Sequence, residues 1–152
     1  MDAIMKLLSD FDADALLPDL STTLGLLELV ARIGILIIPI VLVILGLCYF
    51  FKPTKEANYT FGYRTYFGMG SVEAWRYTQW LAGVVLGGLG AVLTVAMVIA
   101  GFAFAGQNTL NLLLSAATCM FIEVLLTLAA NIAINIAVLL RYDRDGYRRG
   151  TR

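Results

Sequence analysis

Histidine is missing from this chain, and only two cysteines occur, Cys48 and Cys119, each inside an apolar run. Without histidine, Ser-His and Cys-His catalytic pairs lack their base, and zinc sites built on imidazole cannot form. A thiol within an apolar run packs as a small, weakly polar group, so both cysteines read as packing residues with no disulfide between them, and no metal or cofactor is expected. Charge is also scarce, at 14% of residues, and proline occurs three times. A hydrophobic share of 60% and a mean hydropathy of +0.82 leave too little polar surface to solvate a water-soluble domain of 152 residues. The chain is therefore expected to be an all-α integral membrane protein.

Three long apolar runs set the organisation. Ile33 to Phe51 carries no charge, and at ~1.5 Å per helical residue it nearly matches a hydrocarbon core of ~30 Å. Leu81 to Gly106 is a second uncharged run, and Leu112 to Leu140 a third, broken only by Glu123. Spans are expected at about 24–51, 74–106 and 112–140, within a membrane domain of 21–140. Pro39 falls in the middle of the first span, where its missing N–H should kink the helix. Ser21 or Thr22 can cap the first span, and Glu28 and Arg32, four residues apart, are expected to neutralise each other at the interface. Ser71 can cap the second span, with Glu73 facing the positive helix end and Trp75, Tyr77 and Trp80 forming an interfacial aromatic belt. Gln107, Asn108, Thr109 and Asn111 make a short turn before the third.

The N-terminal segment, 1–20, bears Asp2, Asp10, Asp12, Asp14 and Asp19 against the single basic Lys6. That is the reverse of a secretory n-region, so the segment is expected to be retained. Its spaced apolar residues permit a short helix on the membrane surface, ended by Pro18. The net charge is zero, with 11 basic and 11 acidic residues, but the signs are segregated. Two basic residues, Lys6 and Arg32, fall on the side of the N-terminus. Nine fall with the 52–73 loop, the start of the second span and the 141–152 tail: Lys52, Lys55, Arg64, Arg76, Arg141, Arg144, Arg148, Arg149 and Arg152. Basic residues stay cytoplasmic, which places the N-terminus outside and the loop and C-terminus inside. The basic tail is expected against the anionic inner leaflet rather than on nucleic acid.

Between the first two spans lies the one long segment rich in polar, aromatic and glycine residues. Its Asn58, Gly62-Tyr63-Arg64-Thr65, Met69, Glu73, Trp75 and Gly83 resemble the signature of the SdpI-type family, named for the membrane immunity protein against the sporulation-delaying toxin of bacilli. Tyr66 stands where that family usually has proline, Gly68 where it has serine, and Thr78-Gln79-Trp80 where it has Ala-Asn-Lys. The resemblance implies a multi-pass protein of the bacterial plasma membrane. Relatives act in toxin immunity and in relaying toxin presence to a cytoplasmic repressor, so the partners implied are a peptide toxin, a cytoplasmic regulator and membrane lipids.

From the residues themselves, Gly62 allows a positive φ that sets Arg64 beside the membrane surface among Tyr59, Tyr63 and Tyr66, where a guanidinium can clamp a phosphate or carboxylate. Alternatively Arg64 pins the loop to helix ends or to Glu73 and binds nothing. Within the third span, Ser115, Cys119, Glu123, Thr127, Asn131 and Asn135 recur at steps of four and form one polar stripe. A carboxylate near mid-bilayer costs ~2.5–3.5 kcal/mol on insertion scales, so Glu123 should face other helices, protonated or partnered. The stripe is either hydrogen-bonding glue between helices, a proton or ion path, or a groove for a peptide. Gly83, Gly87 and Gly90 form a small-residue face on which a helix can pack closely, within the chain or in a homo-oligomer. Three functions follow: a non-enzymatic immunity or signalling protein, a structural subunit packing through the glycine face, and a lipid- or proton-handling protein using Arg64 and Glu123.

Overall fold

The structure, a computed structural model, describes residues 13–149 except 53, 54, 56, 58 and 59, with the backbone alone for 13–19. Three helices account for most of it: α1 Ala13–Phe51, α2 Val72–Ala103 and α3 Thr109–Arg141. Each is long and apolar enough to cross a membrane, and no strand occurs among the described residues. Asn58, expected as part of the signature, and most of the N-terminal segment lie outside the described residues.

Local chemistry explains the boundaries of α2 and α3. Ser71 is extended and its hydroxyl accepts from Ala74 N at 3.1 Å, which caps α2 where expected. Asn108 caps α3 through a 2.9 Å bond from Asn111 N, after Gly106 has taken a φ of 81° to turn the chain. At the start of α1 the expectation fails. The helix is continuous from Ala13 through Pro18, so Pro18 does not end a separate helix and neither Ser21 nor Thr22 caps a new one. Proline's fixed φ is itself helical, so only the turn before it is disfavoured, and that turn is made of good helix formers, with Ala13, Ala15, Leu16 and Leu17 around Asp14.

α1 and α2 pack along their glycines. Gly83, Gly87 and Gly90 lie against α1 of the same chain, facing Phe50, Gly46 and the Pro39–Val43 stretch. A Cβ on Gly90 would sit 2.7 Å from Val43 N and 2.9 Å from Pro39 O, so the backbones approach closely only because no side chain intervenes. α3 leans on this pair through Leu112, Ala116, Glu123, Ile134 and Val138, all buried. Its other faces carry exposed apolar side chains such as Phe121, Val124, Leu128 and Ile132, a surface suited to lipid.

Glu28 and Arg32, expected to neutralise each other, reach partners elsewhere in the bundle. Glu28 Oε1 accepts from the Thr109 hydroxyl at 2.5 Å, and Arg32 donates to Gly101 O and Phe104 O at 2.7 and 3.2 Å. Each side chain is long enough to cross to a neighbouring helix end, where carbonyls without intrahelical donors and a hydroxyl are stronger partners than a solvated counter-charge; Phe104 O also accepts from Gln107 N at 3.3 Å.

Candidate functional site: a loop joined to the intramembrane polar stripe

The 60–71 loop folds onto the end of the bundle and is held there by its own main chain. Gly62 adopts a φ of 125°, and a Cβ at that position would collide with the indole of Trp75 and come within 3.2 Å of Gln79 Oε1. Trp75 is accordingly fully buried beneath the loop, not part of an interfacial belt, while Trp80 stays half exposed. The ring goes under the loop because the glycine leaves the space that the indole fills. Gln79, also buried, closes on the next residue: its Nε2 donates to Tyr63 O at 2.7 Å and its Oε1 accepts from Tyr63 N at 2.8 Å. Thr65, 4% exposed, accepts from Gly68 N at 2.9 Å and completes a tight turn. Arg64 projects at the exposed surface between these anchored residues.

This anchoring directs Tyr63 at α3. Its hydroxyl donates to Asn131 Oδ1 at 2.7 Å and accepts from Asn135 Nδ2 at 3.4 Å, with the ring edge-on to Tyr49 at 6.1 Å. Burial pushes the Tyr63 hydroxyl above its ordinary pKa of 10.0, against the lowering effect of the Asn135 bond. Asn131 Nδ2 in turn donates to Thr127 O at 2.8 Å, and Asn135 Nδ2 to Asn131 O at 2.8 Å. The signature loop and the polar stripe are therefore one hydrogen-bonded unit.

Further along the stripe the bonding stops. Glu123 is completely buried, and neither of its carboxyl oxygens has a hydrogen-bond partner; the Thr127 hydroxyl is buried and unpaired as well. Thr78, Thr94 and Thr118 each donate to the carbonyl four residues back, which makes Thr127 the departure. Beside Thr127 a cavity of about 380 Å³ opens between α1 and α3, lined by Ile38, Val124, Thr127, Leu128 and Asn131. It can accept an apolar body next to polar groups whose capacity is not used up.

The scan against family models matches residues 54–139, more than half of the chain, to the SdpI/YfhL protein family. The chain belongs to that family. No curated protein and no solved structure matches it. The SdpI/YfhL match begins in the loop and ends within α3, so it takes in Tyr63, Gln79, Glu123, Thr127, Asn131 and Asn135 together.

Two features of the site lay beyond the sequence reading. Gln79, which stands where the family resemblance has asparagine, is the residue that fixes Tyr63; an amide in a headgroup-level helix turn was the available signal. The tail is the other. Residues 142–149 double back in a hairpin whose turn, D-R-D-G, is tied by Asp143 Oδ1 to the N–H groups of Asp145 and Tyr147 at 3.1 and 2.8 Å. Gly146, at a φ of 76°, packs on Gly70, and its carbonyl accepts from the Ser71 hydroxyl at 2.8 Å. Tyr142 is 2% exposed and donates to Glu73 Oε1 at 3.3 Å, while Arg141 lies 4.3 Å over the Tyr77 ring. The 142–149 part of the tail thus clasps the signature loop and the start of α2. Glu73, a candidate partner for Arg64, receives the Tyr142 hydroxyl.

Proposed function

We propose that this SdpI/YfhL family member is a non-enzymatic protein of the bacterial plasma membrane, acting in immunity to, or signalling of, a membrane-borne peptide. In this reading the N-terminus lies outside and the loop and tail inside, as the nine-to-two distribution of basic residues favours. A peptide partner enters the groove between α1 and α3 beside Thr127 and Asn131, and a cytoplasmic regulator meets the loop and its hairpin clasp.

The single observation that carries this reading is the 2.7 Å bond from the Tyr63 hydroxyl to Asn131 Oδ1. Asn131 both lines the groove and holds the loop, so a group that competes for its amide in the membrane acts directly on the Gly62-Tyr63-Arg64-Thr65 segment. Coupling of this kind needs differential contact with the two states of the loop, and one shared side chain provides it.

A toxin-challenge assay tests the proposal. Expression in a strain sensitive to an envelope-acting peptide is expected to give protection, and Tyr63→Phe is expected to abolish the response of a cytoplasmic partner without removing the protein from the membrane. The reading fails where the intact chain gives no protection and the loop captures no cytoplasmic protein.

A further inference from the structure

At the end of the bundle opposite the signature loop, Arg32 reaches from α1 to the last turn of α2. The carbonyls it binds, Gly101 O and Phe104 O, belong to the set that a helix C-terminus leaves without intrahelical donors, and that end carries partial negative charge. The guanidinium is thereby fixed in place. It offers five N–H donors in a planar fork, so two carbonyl bonds do not exhaust it. Its anionic neighbour one turn back, Glu28, lies on the Thr109 hydroxyl.

Arg32 is also the polar rim of a groove of about 280 Å³ between α1 and α2, whose other walls are Leu36, Met97, Val98, Gly101 and Phe102. From Arg32 to Phe51 the helix rises ~28 Å at ~1.5 Å per residue, close to a hydrocarbon thickness of ~30 Å. With Phe51 and Lys52 taken as one boundary, this length sets Arg32 at the opposite edge of the hydrocarbon, from which a guanidinium reaches into the headgroup layer. Leu36, Met97 and Val98 lie about one turn deeper. A cation at headgroup level therefore opens onto an apolar channel that runs into the hydrocarbon. Gly101 leaves the channel wide, since a Cβ there would meet nothing within 4 Å.

We propose that this groove is a binding site for one bilayer phospholipid, with the phosphodiester on the Arg32 guanidinium and an acyl chain along Leu36, Met97 and Val98. Charge complementarity selects the phosphate, because Arg pairs bidentately with phosphate oxygens while the walls below it accept only hydrocarbon. The site is separate from the α1–α3 groove and holds whether or not a peptide binds there.

The test uses the full chain, delipidated in detergent and titrated with phosphatidylglycerol or with diacylglycerol of the same chains, with bound lipid counted by native mass spectrometry. Wild type is expected to retain one phosphatidylglycerol and to bind diacylglycerol at least about tenfold more weakly, since a hydrogen bond to a charged group is worth one tenfold step or more. Arg32→Gln should remove that preference. Gly101→Leu should block the chain while leaving the Arg32 bonds and the helix intact, as leucine favours helix more than glycine does. Gly88→Leu, on α2 where a Cβ also meets nothing within 4 Å, should leave binding unchanged. Equal retention by Gly101→Leu and wild type, or equal binding of diacylglycerol and phosphatidylglycerol, would overturn the proposal.

Discussion

Gln79 and Tyr63 are joined in both directions, the amide of one donating to and accepting from the main chain of the other at 2.7 and 2.8 Å. The pair copies one rung of a β-ladder with a side chain in place of a strand. Replacing Gln79 with leucine leaves the Tyr63 N–H and C=O unpaired in a half-buried setting, at about 1–3 kcal/mol for each group. The Gln79→Leu protein is expected to keep its three helices and lose the loop's order. Amide hydrogen exchange at Tyr63 reports this directly, and unchanged protection would show that the loop is held by other contacts.

Close packing of α1 on α2 makes the glycines unequal. A Cβ on Gly46 would run into the Gly87 backbone, with Gly83 O only 3.0 Å away, whereas a Cβ on Gly87 meets Gly46 Cα at 3.4 Å. Gly46→Ala must therefore separate two backbones, but Gly87→Ala places its methyl in ordinary van der Waals contact. Overpacking of a tight contact costs about 1–3 kcal/mol. Gly46→Ala is expected in that range and Gly87→Ala well below it, measured by steric trapping or thermal unfolding in detergent. Equal losses would count against backbone contact as the cause.

Two departures from the family pattern meet in space. In the family resemblance a serine stands at the place of Gly68 and an alanine at that of Thr78, and a Cβ on Gly68 would collide with the hydroxyls of both Thr65 and Thr78 and come within 3.1 Å of Thr78 Cβ. The larger residue on α2 accompanies the smaller one in the loop. Gly68→Ser alone is expected to destabilise by about 1–3 kcal/mol, and Thr78→Ala in the same chain to restore part of the loss, the clash with the Thr65 hydroxyl remaining. A double-mutant cycle gives the coupling directly; additive effects would mean that the two positions are independent.

The membrane architecture was legible because hydropathy and capping are local properties. Uncharged runs give length, and Ser71 marks a helix start through its own side chain; Asn108, expected in a turn before a span at 112, instead caps α3 at Thr109. Azimuth is another matter. Nothing local told that Trp75 faces inward under Gly62 while Trp80 stays half exposed, or that Glu28 and Arg32 turn to other helices. The stripe from Ser115 to Asn135 was readable from its four-residue period, yet its attachment to Tyr63 depends on a loop path set by Gln79. Asp145-Gly146 is a turn signal in the tail, but the tail's positive charge suits a lipid surface equally well, and nothing local marks the Gly70–Ser71 dock.

The tail clasp should open in alkali. Burial first, and the Glu73 carboxylate second, push the Tyr142 hydroxyl above its ordinary value of 10.0, against the pull of Arg141. The folded value lies above the unfolded one, so the folded state binds the proton more tightly. Stability from Tyr142 is complete below pH 10.0 and is lost as pH rises through the folded value. Trypsin cleavage after Arg144 or Arg148 should accelerate over that window, and Tyr142→Phe, which cannot ionise, should shift or remove the step. A wild-type tail that stays protected well above pH 10 would separate the clasp from Tyr142.

Glu123 gives the sharpest separation of stability from function. Its two oxygens are buried without partners, so folding gains nothing from them and bears their desolvation. Removing a buried polar group that has no partner is expected to be neutral or stabilising, in contrast to removing one half of a hydrogen-bonded pair. Glu123→Leu and Glu123→Gln should both insert and unfold no more easily than wild type. Glu123 is buried one turn from Thr127, which lines the α1–α3 groove, and does not line it itself; if a partner seated there reaches the carboxyl, the leucine variant loses toxin protection while remaining fully stable, and glutamine, which keeps a carbonyl acceptor and adds donors, retains part of it. A leucine variant that is both stable and fully protective would assign Glu123 no role in the groove. One that unfolds readily would show that the carboxyl supports the packing of α3.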